Sequence, residues 1–323
     1  MQRIKHVLPD WTRVQWTSIE NRTKYEPIIS SITRAWRHIE RMSVVHDIRP
    51  SALDIVSKGE FLQLVDEYAQ YGVLVVPLAK EGISSSYSST SKGYNGTGDY
   101  NVRIVFTKSE QLANEWFNIW QAEPTIRDRE AGKLLGYPTC CTDHFLKYWV
   151  NQGFVDSTWT MAADKLQLGD EDHTIHIKAD TPPEANIMWR WQGVRLVSHL
   201  PCSFDCEATE ELGMKMADLG RQLGYNTEVD WIYELLSWPV EWSALHGIAE
   251  IRTPINKVSS RTDMTPWKYV VQKHSNTYPE DGMSGISYPY SQKKSKIKPI
   301  TKTISFAKSL EDTSVWEENG FGN

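Results

Sequence analysis

The sequence predicts an α+β fold, or a mixed α/β fold, in which helices pack against a small sheet and a disordered C-terminal tail follows. Three observations support this prediction. Apolar residues recur at helical spacing in several segments, short runs rich in β-branched residues lie between those segments, and Gly or Pro marks the boundaries. Forty per cent of the residues are hydrophobic and 24% are charged, a balance typical of a globular protein with at least one large core.

A length of 323 residues favours about two domains. We predict an N-terminal domain over 1–122, a central domain over 123–274, and a disordered tail over 275–323. The first part of the N-terminal domain, up to about residue 75, is expected to be mostly helical. The Ser- and Gly-rich stretch 83–99 is either a lid or a surface hairpin, and its glycines match neither nucleotide-binding pattern.

The elements of the N-terminal domain follow in chain order from local patterns. Ser57 to Tyr71 predicts a helix, because its apolar residues recur every three or four positions. The apolar runs 73–78 and 101–106 predict buried strands. Ser109 is placed to cap a further helix that follows the second of these strands.

Charge and hydropathy exclude several classes of protein. The net charge of −6 argues against a protein that coats nucleic acid through bulk positive charge. No stretch approaches the roughly 18 consecutive apolar residues of a membrane helix, and the N-terminus has no apolar secretory region. The sequence therefore predicts a cytoplasmic protein without membrane contact.

The four cysteines are the strongest functional signal. They occur as two pairs, Cys140 with Cys141 and Cys202 with Cys206, and each pair is predicted to begin a helix. Thr139 would cap the first of these helices. A thiol at a helix N-terminus has a lowered pKa, and the thiolate is the species that binds metal or attacks an electrophile.

Convergence of the two pairs would bring four sulfurs together as ligands for zinc or, alternatively, for an iron–sulfur cluster. Cys202 and Cys206 are four residues apart, which on a helix places both on one face. His144 and His199 are candidate substitute ligands or proton carriers. Adjacent cysteines strain to reach one metal, so a single member of the first pair could suffice. A metal-free reactive thiol site and buried core cysteines remain open as alternatives.

The two cysteine elements also support a resemblance. The stretch Gly136-Tyr137-Pro138-Thr139-Cys140-Cys141 and the later His199-Leu200-Pro201-Cys202-Ser203-Phe204-Asp205-Cys206 resemble a family of uncharacterised prokaryotic and viral proteins. That family shares a Gly-Tyr-Pro-x-Cys-Cys element and a downstream Pro-Cys-Ser element. The resemblance implies that the two cysteine elements belong together, and it implies no reaction.

A Trp- and Arg-rich segment precedes the second cysteine pair. Trp189, Arg190, Trp191 and Arg195 are candidate substrate-binding residues, because an arginine beside aromatic planes suits an anionic, planar ligand. The alternative is a surface strand with extended arginines. His246 lies at a predicted bend before a strand and is a third candidate catalytic histidine, with His144 and His199.

Two functional hypotheses from different classes follow. The first is a metal-dependent enzyme, hydrolytic with zinc or redox-active with an iron–sulfur cluster, that acts on an anionic, planar small molecule or a nucleobase-type substrate. The second is a binding or interaction protein with a structural four-cysteine zinc site and a tail that recruits a partner. Four cysteines on one metal indicate a closed structural site, whereas fewer cysteines with a histidine leave room for chemistry.

Two further predictions complete the sequence analysis. A thiol redox protein in which Cys202 and Cys206 form a disulfide is the least favoured hypothesis, because helical spacing of four residues approaches the upper limit of Cα separation for that bond. The tail segment 293–321 combines lysines with an acidic, aromatic end. It could therefore make weak contact with nucleic acid or with another protein.

Overall fold

The computed structural model describes residues 13–81, 100–152, 156, 158–161, 166–168, 174–262 and 268–279. The Ser- and Gly-rich stretch 83–99 and the tail segment 293–321 lie outside these residues. Within the described part of the chain, no helix is both long and apolar enough to cross a bilayer.

Helices and strands alternate irregularly along the chain. The described α-helices are α1 (Ile19–Val45), α2 (Lys58–Ala69), α3 (Glu110–Trp120), α4 (Pro124–Leu134), α5 (Thr139–Phe145), α6 (Glu207–Gln222) and α7 (Asn226–Ser237). The described strands are β1 (Arg13–Trp16), β2 (Ser51–Ser57), β3 (Leu74–Glu81), β4 (Asn101–Thr107), β5 (Leu166–Leu168), β6 (Thr174–Lys178), β7 (Val240–Leu245), β8 (Ile248–Arg252), β9 (Asn256–Arg261) and β10 (Lys268–Lys273). A π-helical turn, Leu146–Val150, continues α5, and short 3-10 turns cover Pro183–Ala185 and Arg190–Gln192.

The described strands form two sheets. The larger has seven strands in the order β1-β9-β8-β7-β10-β6-β5, and its neighbours are antiparallel except for the parallel pair β10 and β6. The smaller is antiparallel, with the order β2-β4-β3. The predicted α+β class is confirmed, although the strands make two sheets where one small sheet was expected.

Two large clusters of buried side chains form the cores. One lies between α1, α2, α6, α7 and the smaller sheet, and it therefore combines side chains from both sides of residue 122. The other lies on the seven-stranded sheet and includes Trp242, Ile251 and Val271. The domain boundaries at 122 and 274 remain predictions.

Local patterns located most of the elements that they predicted. The side-chain oxygens of Ser57 and Ser109 accept hydrogen bonds from the first turns of α2 and α3, as expected for N-caps. The mostly helical start expected up to about residue 75 agrees with α1 and α2, but Ser51–Ser57, for which no strand was predicted, is a strand paired with β4 along its whole length. Its exposure does not alternate, because α1 and α2 also cover part of it, so no period of two is visible in the sequence.

Candidate metal centre and adjoining cleft

The turn between α4 and α5 sets the position of the first cysteine pair. Gly136 has a φ of +69°, and its amide donates to the carbonyl of Lys133 while the amide of Tyr137 donates to that of Gly132. This is the hydrogen-bonding pattern of a Schellman motif, which requires a left-handed residue after the helix. Pro138 is then the N-cap residue of α5, so the Gly-Tyr-Pro sequence places the cysteines at the second and third residues of a new helix. Thr139, predicted as the cap, is instead the first residue of the helix, and no side chain caps it.

The four cysteine sulfurs form one compact group. All four Sγ atoms lie within 4.8 Å of one another. Cys140 Sγ is 3.8 Å from both Cys141 Sγ and Cys206 Sγ, and the last two are 3.6 Å apart. The predicted convergence of the two pairs is therefore confirmed. Both adjacent cysteines take part, because the first turn of α5 directs both side chains toward the second pair.

The second pair does not lie on one helical turn, contrary to the sequence-based expectation. α6 begins at Glu207, and Cys206 is its N-cap residue, whereas Cys202 lies in the irregular segment before it. The helical pattern predicted for 202–206 is interrupted by turns, and the acidic residues that follow occupy the first turn of α6. Convergence of Cys202 and Cys206 therefore comes from the loop and not from helical periodicity.

The close approach of the thiols lowers the pKa of one cysteine and raises the pKa of two others. Hydrogen bonds from the Cys141 thiol, and then from Cys206 and Cys140, lower the pKa of Cys202 to about 5. Burial raises the pKa of Cys140 to about 11, and the hydrogen bond from Cys141 to Cys202 is the main reason that the pKa of Cys141 is also raised. Cys202 is therefore the most acidic of these three thiols. A metal ion would change this, since coordinating thiols are deprotonated outright.

A second layer of hydrogen bonds lies behind Cys141. Thr209, which is fully buried on α6, places its Oγ1 3.3 Å from Cys141 Sγ and 2.9 Å from His199 Nε2. Burial, and then the nearby Arg49 cation, lower the pKa of His199 to about 3, so this imidazole is neutral at pH 7. His199 is thus connected to the cysteine group through Thr209 and is not one of the four clustered groups.

His144 lies close to the cysteines in sequence but is directed elsewhere. Its Nε2 is 3.2 Å from Thr160 Oγ1, and its ring lies 4.6 Å from that of Tyr148. Burial, and then the Lys147 cation, lower its pKa to about 4. Among the described residues the potential metal-ligand group contains four cysteines, and neither His144 nor His199 belongs to it.

A cleft of about 220 Å³ adjoins the cysteine group. Its walls come from α4, α5 and the segment before the second cysteine pair. The lining residues are Asp128, Ala131, Gly132, Leu135, Tyr137, Cys141, Thr142, Phe145, Ser198, His199 and Leu200. Gly132 keeps α4 close to α5, because an added Cβ would lie 2.7 Å from Thr142 Cγ2. The cleft is mostly apolar, with a small number of polar groups around it.

Arg49 lies behind one wall of this cleft. Its side chain is buried, and its Nε donates to the Leu135 carbonyl while its Nη1 donates to Ser198 Oγ. Its guanidinium is 5.2 Å from the centre of the Tyr137 ring, a cation–π distance. No described carboxylate lies within ion-pair distance of Arg49. A buried cation without a carboxylate partner is costly, and the Nη2 atom of Arg49 also has no hydrogen-bond partner among the described residues.

The Trp- and Arg-rich segment forms part of the cores. Trp189 is fully buried, Arg190 is 4% exposed and Trp191 is 7% exposed. Arg190 Nη2 lies 2.6 Å from Asp156 Oδ1 and 3.1 Å from Thr158 Oγ1, and its guanidinium lies over the Trp191 ring. These contacts leave no open surface for a substrate at these three side chains, and we propose no substrate role for them.

The other two predicted residues lie apart from the cysteine group. Arg195 is paired with Glu40 of α1 at 3.5 Å. His246 and Gly247 both have positive φ and form the tight turn of the β7–β8 hairpin, which confirms the predicted bend and strand. His246 is exposed there, and no contact among the described residues connects it with the cysteines.

Sequence reasoning missed several residues around the site. Thr209 follows Cys206 by three residues, so helical spacing could have placed it on the same face of α6. Asp128 precedes the Gly-Tyr-Pro element by two helical turns, which is a weak signal. Arg49 is far from both cysteine pairs in sequence, and no local pattern connects it with them.

Comparisons with known proteins identify no relative. No protein-family model matches the chain, and no curated protein or solved structure is significantly similar to it. The resemblance described from the two cysteine elements therefore remains a prediction.

Proposed function

We propose that this chain is a zinc protein in which four cysteines form a closed structural site that joins α5 to the segment leading into α6. The separations between the sulfurs carry this proposal. A tetrahedral zinc ion with Zn–S bonds of about 2.3 Å places its sulfurs about 3.8 Å from one another. The three separations among Cys140, Cys141 and Cys206 are 3.6 to 3.8 Å and match that value, and Cys202 Sγ lies within 4.8 Å of each of them.

The same separations favour one ion over an iron–sulfur cluster. In a four-iron cluster each cysteine binds a different iron, so the protein sulfurs surround a core of several atoms. Four sulfurs within 4.8 Å of one another leave space for a single ion and none for such a core. Tetrahedral coordination by four sulfurs suits zinc, which needs no redox partner.

The number of sulfurs favours a structural role. Four thiolates fill the four positions of a tetrahedral zinc ion and leave no position for a reactive water. This supports the class of binding or interaction proteins over a zinc hydrolase. The segments that carry the cysteines are a short helix and an irregular loop, and an ion bound to all four sulfurs would join the two. The ion would therefore fix the cleft that lies between them.

Metal analysis of the purified chain tests this proposal. The protein is purified without oxygen, and its metal content and visible spectrum are measured beside a Cys202→Ser/Cys206→Ser variant. We expect one zinc per chain, a colourless sample, and loss of the zinc in the variant. A Thr139→Ala variant is the matched control, because it changes an exposed residue beside Cys140 without removing a sulfur, and it should keep the zinc.

Two results would contradict the proposal. A brown sample with several irons per chain would indicate a cluster and a redox role. Protein without metal would leave a thiol site in place of a metal site.

A metal-dependent enzyme is the second candidate, and one observation favours it. Cys141 lines the cleft, so a small-molecule substrate in the cleft would lie next to a metal-bound sulfur. Chemistry at the ion would require one thiolate to give way to water or substrate. A cobalt-substituted sample distinguishes the candidates: added cyanide should leave the spectrum of a closed four-sulfur site unchanged, and it should change that of a site with an exchangeable position.

A further inference from the structure

An exposed apolar pair lies on the outer face of the seven-stranded sheet, which is the face opposite its core. The core-facing side chains of β7 and β8 are those of Trp242, Ala244, Ala249 and Ile251. Because successive side chains of a strand point to opposite faces, Leu245 and Ile248 lie on the outer face. They are opposite each other in the β7–β8 pair, and they are 39% and 49% exposed. Adjacent apolar side chains in water gain free energy when a partner covers them.

A cation lies on each side of this apolar pair. Arg261 of β9 is opposite Ile248. On the other side, the antiparallel register of β7 and β10 places Lys268 beside Leu245. Lys268 is exposed, and Arg261 is half-buried. Four adjacent strands thus carry one row of side chains, which we call the basic–apolar row: Arg261, Ile248, Leu245 and Lys268.

The rest of the outer face is also mainly basic. Its strand residues include the cations Arg13, Lys178, Arg252 and Lys257 and the carboxylates Glu241 and Glu250. Glu250 accepts from both Arg252 and Lys257, at 3.0 and 2.8 Å. Cations therefore outnumber carboxylates on this face, although the chain as a whole has a net charge of −6. Such a face attracts acidic partners and repels basic ones.

A second pair of exposed apolar residues lies in the opposite electrostatic setting. Leu62 and Val65 of α2 are 58% and 36% exposed, and they are three residues apart on the helix. The exposed residues that follow them are Asp66 and Glu67. An acidic partner would meet like charge there, whereas along the basic–apolar row it would meet cations.

The sequence of this chain contains a segment with the complementary order. In segment 311–318, the apolar residues Val315 and Trp316 lie between the acidic pairs Glu311-Asp312 and Glu317-Glu318. In extended form, the chain between the two acidic pairs spans about 16 Å, and four adjacent strands span about 14 Å. Acidic ends and an apolar middle therefore match the row in order and in length.

The chain that connects this segment to the sheet is long enough to reach the row. Pro279 is the last described residue, and it follows the end of β10, the strand that carries Lys268, by six positions. Glu311 follows Pro279 by 32 positions. A chain of that length can extend about 100 Å.

We infer that segment 311–318 of this chain binds in extended form across the outer face of the larger sheet, along the basic–apolar row. Its acidic pairs lie beside Arg261 and Lys268, and Trp316 covers the apolar pair. The partner of the tail is then the chain's own sheet, in place of the nucleic acid or second protein that the sequence favoured. The contact does not depend on the proposed zinc site.

Zero-length crosslinking of the full chain locates the contact. A carbodiimide joins the Lys268 amine to a carboxylate that touches it, and digestion followed by mass spectrometry identifies the two peptides. In dilute protein we expect Lys268 to be linked to segment 311–318 within single chains. About 0.5 M salt should reduce the yield several-fold, because it screens the charges. Lys58, an exposed lysine at the start of α2, should give no link to this segment.

A matched pair of variants measures the affinity. A labelled peptide with the sequence of 309–321 is titrated against the full chain that carries Trp316→Ala, whose own segment is weakened. Ile248→Ser in that chain should reduce the affinity about tenfold, because it removes an apolar side chain from the row. Leu62→Ser removes an exposed apolar side chain from α2 and should change the affinity less than about twofold.

The unsubstituted chain should bind the same peptide at least about tenfold more weakly than the Trp316→Ala chain. Its own segment occupies the row, and an attached segment competes at a high effective concentration. Both Ile248 and Leu62 are exposed, so the two serine variants should keep the thermal midpoint of the parent chain.

Four results would overturn the inference. Links from Lys268 that join two chains would show that the row binds a second copy. Equal affinities of the unsubstituted and Trp316→Ala chains for the peptide would show that the chain's own segment does not occupy the row. Equal effects of Ile248→Ser and Leu62→Ser would place the peptide elsewhere on the molecule. A single-stranded oligonucleotide that binds the unsubstituted chain more tightly than the peptide binds the Trp316→Ala chain would assign the basic face to nucleic acid.

Discussion

Two buried polar groups in this molecule differ in whether their donors and acceptors have partners within the protein. The first is the Arg190–Asp156 pair in the core of the larger sheet. Asp156 Oδ1 accepts from Arg190, from the Thr158 amide at 3.0 Å and from the Thr158 hydroxyl at 2.5 Å, and Oδ2 accepts from Trp242 Nε1 at 2.9 Å. Donors and acceptor are matched, so this site is complete as it stands.

The second is the four-cysteine group, in which donors and acceptors are not matched in this way. Four sulfurs lie within 4.8 Å of one another, and thiols can offer each other only weak hydrogen bonds. Beyond Thr209 lies a His199 nitrogen without a described partner, and the wall of the adjoining cleft is backed by a buried Arg49 without a described carboxylate partner. The comparison shows that residue type alone does not mark a functional site. The arginine between tryptophans has its partners within the core, whereas the cysteine group and the residues behind it include polar atoms without partners among the described residues.

The largest expected effect is that of metal removal. Chelation of the zinc should lower the free energy of unfolding by several kcal/mol, since structural zinc ions contribute on the order of 10 kcal/mol in small zinc domains. Thermal unfolding with and without a chelator measures this, and added zinc should restore the original midpoint. An unchanged midpoint would contradict this prediction, because it would show that the protein needs no ion at the cysteine group for its stability.

Removal of one partner of the Arg190–Asp156 pair should destabilise the protein more than replacement of both partners. Asp156→Ala should destabilise the protein by about 3–5 kcal/mol, because it leaves a buried guanidinium uncompensated. The double variant Asp156→Leu/Arg190→Met should lose much less stability than the single variant, and both should keep a full complement of zinc. Denaturant unfolding combined with metal analysis checks these expectations. A loss of zinc in either variant would show that the two sites are not independent.

Thr209 connects the incomplete group to the rest of the fold. Thr209→Val removes the hydroxyl between Cys141 and His199 while keeping the shape, and it should reduce zinc affinity about 10- to 100-fold, as changes behind metal ligands typically do. Competition with a zinc-binding dye measures the affinity. Thr209→Ser keeps the hydroxyl and should retain most of the affinity. Equal affinities of the two variants would mean that Thr209 acts only by packing.

The smallest expected effect concerns the turn that delivers the first cysteine pair. Gly136→Ala should cost about 1–2 kcal/mol for its left-handed backbone, with more from the close approach to Pro50 Cδ at 2.8 Å. Gly72 has a similar φ of +67° and nothing within 4 Å of an added Cβ, so Gly72→Ala measures the backbone cost alone. The two variants are compared by their thermal midpoints. A Gly136→Ala effect no larger than that of Gly72→Ala would show that Pro50 moves aside at no measurable cost.

The sequence predicted those parts of the molecule that depend on short spacing. Helical periodicity located α2 and α3, and the Gly-Tyr-Pro turn placed the first cysteine pair correctly at the start of α5. The strand Ser51–Ser57 was missed, because helices cover part of it and its pattern does not alternate. Contacts between distant residues were also not visible: Asp156 completes Arg190 from 34 positions away, and Arg49 reaches Ser198 from 149 positions away.

X-ray absorption at the zinc edge tests the central claim most directly. For the protein as purified without oxygen, a single closed four-cysteine site predicts four sulfur neighbours at about 2.3 Å and no second metal nearby. A shell that contains nitrogen or oxygen would show that one cysteine does not bind the ion and that a position is open for chemistry. Iron with a neighbouring iron, or the absence of any metal, would contradict the zinc site altogether.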